Sequence, residues 1–480
     1  MSDAPVATHR EHSSSAIRFT LLRSISTTAV GVLSASVLGR GLGVAGYGRY
    51  QLVTNLAVQI GQVCEAGVGT AIVSMPADTT IGRPRVDRIV LWYLFAMLLP
   101  TAVVTCCLMF LLVDQVSWAS VVACCVISLS TLVHLLEIGV LRRLRKTSLA
   151  NALILLPPLL NLPIIAALWW SELLTPEAAL IVLASTYVAI TSVAMVWAIG
   201  LQDESPDVAE RRTARLSSLK ELFQRSWRSS LNRISQLLIY RFDLFLLAYF
   251  VGEESLGIYV PAVFLASQLN HLGDSVGFVL YPSVARKEMN ATDVCDASRC
   301  ITLFTVFAGV LIALASPWFL RAIWGDAFAD SMKPLWWILP GYIVLTPARA
   351  ISAYLAVVTE FRATLNASVV GLVVNCVLNT LLIPGLGVVG AAIATSVSLI
   401  CISLILSISF VSKTGSKWRD IWIPRASDFR RGIAMVGFLS KGNRHDGPVS
   451  DGPVSDGAVS DGPVSDGPVD EDTASENTSR

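Results

Sequence analysis

The chain of 480 residues is 54% apolar and only 15% charged, with a mean hydropathy of +0.63, well outside the range of a water-soluble globular protein. Its net charge of +1 by itself says nothing about nucleic acid, since what matters is where the charges sit; no nucleic-acid partner is expected. The cysteines fall mostly inside apolar stretches, where cysteine behaves as a small hydrophobe, and no cofactor or nucleotide-binding motif occurs, so no cofactor is expected.

The first 15 or so residues are polar, and the apolar run after them lacks a small-residue cleavage pattern; it is expected to remain as a span. Twelve apolar stretches follow, near 21–39, 48–73, 89–113, 117–140, 148–170, 178–200, 229–251, 256–283, 301–320, 334–358, 364–384 and 387–411. Each is long enough to cross roughly 30 Å of hydrocarbon as a helix rising about 1.5 Å per residue. Pro157, Pro158 and Pro163 predict an interrupted span 5, and Pro384 with Gly385, Gly387 and Gly390 a bend between spans 11 and 12. Trp118, Trp169, Trp170, Trp318, Trp324, Trp336 and Trp337 fall near one set of span ends, as an interfacial aromatic belt would. Cys295 and Cys300 share a predicted loop with no other Cys or His nearby, too few ligands for a structural metal.

Beyond the spans, residues 412–445 form a basic juxtamembrane segment with Trp418 and Trp422, read either as lying on an anionic leaflet or as an ordinary stop segment. Residues 446–470 repeat the pentapeptide DGPVS with small variations. Gly, Pro and Asp at fixed spacing leave almost nothing to bury, so 446–480 is expected to be a disordered acidic tail.

Charge placement gives the orientation. The N-terminal segment through Arg23, the loops after even-numbered spans and the region after residue 411 hold 29 of the 36 Lys and Arg, against four (Arg40, Arg49, Arg321 and Lys333) on the other side. By the positive-inside rule both termini are cytoplasmic. The chain also repeats itself. Gly48-Arg49-Tyr50 and Gly257-Ile258-Tyr259 are 209 residues apart, and in the same register Ala57, Gln59 and Glu65 match Ala266, Gln268 and Asp274. The predicted fold is therefore all-α and membrane-integral: an N-lobe of six spans over 21–200, a cytoplasmic linker over 201–228, and a C-lobe of six spans over 229–411. Repeats with an even number of spans share one orientation, which puts their pseudo-twofold axis along the membrane normal and a cleft between them.

LGRGLGVAGYGRYQLV at 38–53, RFDLFLLAYFVGEESLGIYVPA at 241–262 and LNTLLIPGLGVVGAAIAT at 378–395 resemble the patterns of prokaryotic polysaccharide exporters of the O-antigen flippase type. That family shares a superfamily with peptidoglycan-precursor flippases and multidrug and toxin extrusion antiporters. The resemblance, over roughly residues 16–410, implies flipping of an oligosaccharide linked to polyprenyl phosphate or diphosphate across a prokaryotic cytoplasmic membrane, for lipopolysaccharide or another surface polysaccharide. Membrane lipids and other polysaccharide-assembly proteins are the further partners it implies. The tail has no counterpart in it.

Ionisable groups within spans are costly and are functional candidates by default. Arg233 and Arg241, eight residues apart on span 7, share a helix face, and Arg349 lies deep in span 10. Guanidinium groups bind phosphate through planar bidentate bonds and stay charged, so Arg241, Arg349 and Arg233, with Asn270 as a polar contact, are the candidate substrate-binding residues. A structural reading stands beside this one, with Arg241 and Asp243 paired with other charges to lock the lobes and Arg233 reaching the interface. Glu65, Asp243, Asp274 and His271 are candidates for gating or ion coupling, or, for the acids, interfacial solvation. His134 and Glu137 add two ionisable groups on span 4, and Asn375 and Asn379 are expected to bond between helices.

No enzyme is expected. The alternatives are an ion-coupled drug antiporter, which would want acids in its cleft, and a membrane glycan polymerase or ligase, which would want a larger outer loop than 321–333.

Overall fold

A lipid-embedded chain must satisfy its backbone hydrogen bonds internally, and helices do this within one segment. The computed structural model is accordingly helical, and it describes residues 5–65, 68, 83–113, 117–143, 146–200, 218–285, 287, 289–359, 361–425 and 428. The elements are α1 (Pro5–Glu65), α2 (Arg83–Leu112), α3 (Trp118–Arg143), α4 (Thr147–Trp170), α5 (Pro176–Gly200), α6 (Ser218–Val251), α7 (Glu253–Ser267) and α8 (Asn270–Ala285). After these come α9 (Ala291–Ile323), a 3₁₀ turn (Asp326–Ser331), α10 (Met332–Val358), α11 (Arg362–Thr414) and α12 (Trp418–Trp422). Nine of the described helices are long and apolar enough to cross a membrane.

Two of them are double. At 61 residues, a straight α1 would run about 90 Å, three times the hydrocarbon core. It turns at Gly43, whose φ of 68° and ψ of −177° are not helical. Gly31 and Val58 then line one cavity, which requires the two arms to lie side by side. α11 turns likewise at Gly387 (φ 56°), and Asn375 on its first arm donates to Ser398 on its second at 3.2 Å. These hairpins hold predicted spans 1 with 2 and 11 with 12. Predicted span 8 is not one helix: it divides at Gln268–Leu269 into α7 and α8, each too short to count by itself. α4 runs unbroken past Pro157, Pro158 and Pro163, contrary to the expected interruption. α9 starts at Ala291, so Cys295 and Cys300 are helical rather than in a loop.

α1 packs against α3, α4 and α5 within its own half and against α7 of the other half. At that crossing the repeated glycines meet. A Cβ on Gly48 would overlap the Glu253 carbonyl oxygen and come within 2.9 Å of the Gly257 amide nitrogen; a Cβ on Gly257 would overlap the Val44 carbonyl oxygen. Only glycine permits backbones this close. Beside this seam Arg40 donates to the carbonyls of Ile323 and Ala322, at 3.3 and 2.5 Å, at the end of α9. Trp324 is buried there under Gly39 and Phe264. It is thus a packing residue, not the interfacial anchor expected of it, because the seam leaves its ring no path to lipid. Trp118 and Trp170, 79% and 92% exposed, fit the belt.

After α11 the described chain folds back on the protein. Ile421 of α12 is buried, Trp422 donates to Ser407, and Arg299 bonds Asp428 at 2.9 Å with both side chains almost fully buried. The linker residues 201–217, and the pentapeptide tail with its expected disorder, lie outside the described residues.

Candidate functional site

Between the two halves lies a cleft of about 410 Å³, walled by both arms of α1, by α4 and α5, and by α6 and α7. Tyr47, Tyr50, Gln51, Asn55, Asn161 and Tyr187 give it a polar, aromatic character, and Arg241 is the one charged residue lining it among those described. No hydrogen bond or ion pair holds the Arg241 guanidinium among the described residues. Partly exposed in a polar cleft, its guanidinium keeps its donors available to an anionic ligand.

Asp243 does not pair with it. Residues two apart on a helix point about 200° from one another, so Asp243 turns into the C-lobe, 1% exposed. Tyr259 donates to its Oδ2, Thr395 donates to the same oxygen at 3.0 Å, and the Leu244 amide donates to Oδ1 at 2.9 Å. Asn375 bridges Thr395 and Ser398 at 3.4 and 3.2 Å, and Asn379 donates to the Asn375 carbonyl oxygen at 2.9 Å. One buried carboxylate thereby ties α6, α7 and both arms of α11. The expected lock, in which Arg241 and Asp243 pair with other charges, is not formed by Asp243, whose hydrogen-bond partners are uncharged and lie within one lobe.

Arg349 occupies a separate cavity of about 350 Å³ inside the C-lobe, among α6, α8, α10 and α11. It forms an ion pair with Asp274 and donates to the Tyr240 hydroxyl at 2.8 Å, while its Nε is buried without a partner among the described residues. The structure therefore does not bring Arg241 and Arg349 together. Being adjacent on α6, Tyr240 and Arg241 face different spaces, which separates the two cations.

The other expected residues scatter. The Arg233 side chain lies outside those described. Asn270 opens α8 with its Oδ1 buried and unpartnered among the described residues. Glu65 ends the described part of α1 and is 1% exposed, whereas its repeat counterpart Asp274 is half exposed on the Arg349 pair. The shared register thus does not give the two acids one environment, and interfacial solvation does not describe Glu65. His271 is exposed on α8. His134 packs edge-on against Tyr187, and the buried oxygens of Glu137 have no partner among the described residues. Tyr240, Thr395 and Gln51 were not singled out by the sequence, and Tyr259 only as part of the repeat; nothing distinguishes an uncharged polar group lining a site from one that merely bonds between helices.

Two helical halves, joined by a glycine seam and enclosing a cleft, define a multi-pass helical membrane protein. The similar solved structures include a lipid II flippase MurJ in an inward closed conformation, with TM-score 0.66 and 12% identity over 89% of this chain and 94% of that one. They also include an inward-facing multidrug resistance MATE family transporter of the MOP superfamily (TM-score 0.61, 15% identity, 82% and 94% covered). A MATE in complex with MaL6 follows at TM-score 0.54 and 14% identity, with 84% and 96% covered. No curated protein matches the chain by sequence. The chain belongs to the polysaccharide biosynthesis protein family, whose model matches residues 17–287.

Proposed function

We propose that this protein flips an oligosaccharide linked to polyprenyl phosphate or diphosphate across a prokaryotic cytoplasmic membrane, for assembly of a surface polysaccharide such as O-antigen. In this reading the chain crosses twelve times, with both termini in the cytoplasm, and its two lobes rock about the seam to open the cleft to each side in turn. The observation that carries the reading is Arg241, a cation with no hydrogen bond or ion pair to the described residues, in an otherwise uncharged, hydroxyl- and amide-bearing cleft. Such a wall suits phosphate at one point and sugar hydroxyls elsewhere. A cation-exporting antiporter would want acid there, and no described residue lining the cleft supplies one. The isoprenoid stays in lipid, since moving it into a polar cleft forfeits about 0.8 kcal/mol per methylene.

We assign ion coupling to Asp243, because its carboxylate joins three elements of the C-lobe and a change in its charge would act on all of them. Asp274 with Arg349 is the gating candidate, and Glu65 stays with it as the N-lobe counterpart. His271, exposed on α8, is the weakest of the four.

Deleting the gene and profiling lipid-linked glycans tests the reading. Accumulation of one such species in the inner leaflet is the expected outcome. Altered drug efflux without glycan accumulation would replace the reading with the antiporter.

A further inference from the structure

At the end of α11 far from its Gly387 turn, the two arms and the end of α10 enclose a hollow of about 520 Å³. Arg362 and Asn366 face it from the first arm, Ser409, Ser412 and Lys413 from the second, and Thr359 from the α10–α11 turn. Two cations thus share one space with hydroxyls and an amide, and no carboxylate lines it among the described residues. Neither Arg362 nor Lys413 makes an ion pair with any described residue. Like charges around one hollow repel, and a multi-oxygen anion bridging them removes the repulsion.

The surface leading away from the hollow is apolar. Asn366, Val370 and Val373 follow at helical spacing on one arm, and Ser412, Ile408 and Leu404 do so on the other. Gly371 packs on Ile402 and fixes the register of the arms, which puts Val370 and Leu404 at similar depth. Val370, Val373, Leu404 and Ile408 are all exposed, between 43% and 56%. A basic, hydroxyl-lined head site continuous with an apolar strip fits an amphiphile better than a free ion.

We propose that this hollow is a lipid site: it holds the phosphate of an anionic glycerophospholipid between Arg362 and Lys413, with the acyl chains along Val370, Val373, Leu404 and Ile408. Basic hollows between membrane helices take anionic headgroups in this way. The site is distinct from both the cleft and the Arg349 cavity, and it does not depend on what the cleft transports.

The test is native mass spectrometry of the full-length protein in detergent with equal amounts of phosphatidylglycerol and phosphatidylcholine, folding being monitored by circular dichroism. The wild type is expected to retain phosphatidylglycerol in preference. The double variant Arg362→Gln/Lys413→Gln should bind it about thirtyfold more weakly, the loss of two basic contacts. Arg321→Gln, exposed on another helix end, should leave retention unchanged. Leu404→Ser/Ile408→Ser should weaken lipid binding with both cations intact. Equal retention of the two lipids, or undiminished phosphatidylglycerol on the double variant, would overturn the proposal. So would displacement by millimolar inorganic phosphate with no effect of the serine pair, which would make this a free-anion site.

Discussion

Gly48 and Gly257 meet backbone to backbone, and their contact is reciprocal: Gly48 lies on Glu253 while Gly257 lies on Val44, and Val44 and Glu253, like the two glycines, are equivalent positions at the 209-residue offset of the repeat. A side chain at either position must push backbone, which cannot yield as a flexible side chain does. Gly48→Ala and Gly257→Ala should each cost about 1–3 kcal/mol, and the double variant less than their sum because they share one seam. Gly385→Ala, where a Cβ meets nothing within 4 Å, should be close to neutral. Thermal unfolding in detergent reads all four, and a wild-type midpoint for Gly48→Ala would refute the tight seam.

Arg241 separates binding from stability. With no ion pair to lose among the described residues, Arg241→Gln and Arg241→Lys should leave the melting temperature near that of the wild type. Both should impair flipping of a labelled lipid-linked sugar, since an ammonium cannot reproduce the bidentate fork on phosphate. Near-normal transport by the Lys variant, normalised to protein in the membrane, would remove Arg241 from the substrate site.

Arg349 and Asp274 call for a double-mutant cycle. Asp274 is half exposed, so water screens part of their attraction. Arg349→Gln and Asp274→Asn should each reduce transport, and the double variant should recover part of the loss if the pair acts as a gate. Strict additivity would assign Arg349 a role that does not pass through Asp274.

The Asp243 network predicts two different phenotypes. Tyr259→Phe removes a hydrogen bond to a buried carboxylate and should cost about 1.5–3 kcal/mol. Asp243→Asn keeps the shape but not the charge. It should reach the membrane at near-normal levels and lose the dependence of flipping on an imposed ion gradient. Unchanged gradient dependence in proteoliposomes would end the coupling assignment.

Breaking the Arg299–Asp428 pair should be the most destabilising of these changes. Its side chains are 2% and 1% exposed, and removing one partner of a buried pair costs about 3–5 kcal/mol. Arg299→Ala should also free the segment around α12, seen as faster proteolysis after Trp422, whereas Arg425→Ala, at an exposed pair, should change little.

The sequence by itself determined the class of molecule, because insolubility in water is a property of composition and membrane thickness sets the length of an apolar helix. It also carried the repeat in which Gly48 and Gly257 recur in register with their neighbours, and the structure seats these two glycines against one another. It named Arg241, Arg349 and Asp243, since any charge within a span is conspicuous. Only the tertiary structure decided what each of them faces. Helical rotation turns Arg241 to the cleft and Asp243 away from it, and packing puts Arg349 in another cavity with Asp274. Trp324 belongs to the same class of outcome: its type and position read as an interfacial anchor, and a glycine seam buries it. Contacts between residues more than a hundred positions apart, such as Asp243 with Thr395 or Arg299 with Asp428, leave no trace in local spacing, because loop closure rather than periodicity brings them together.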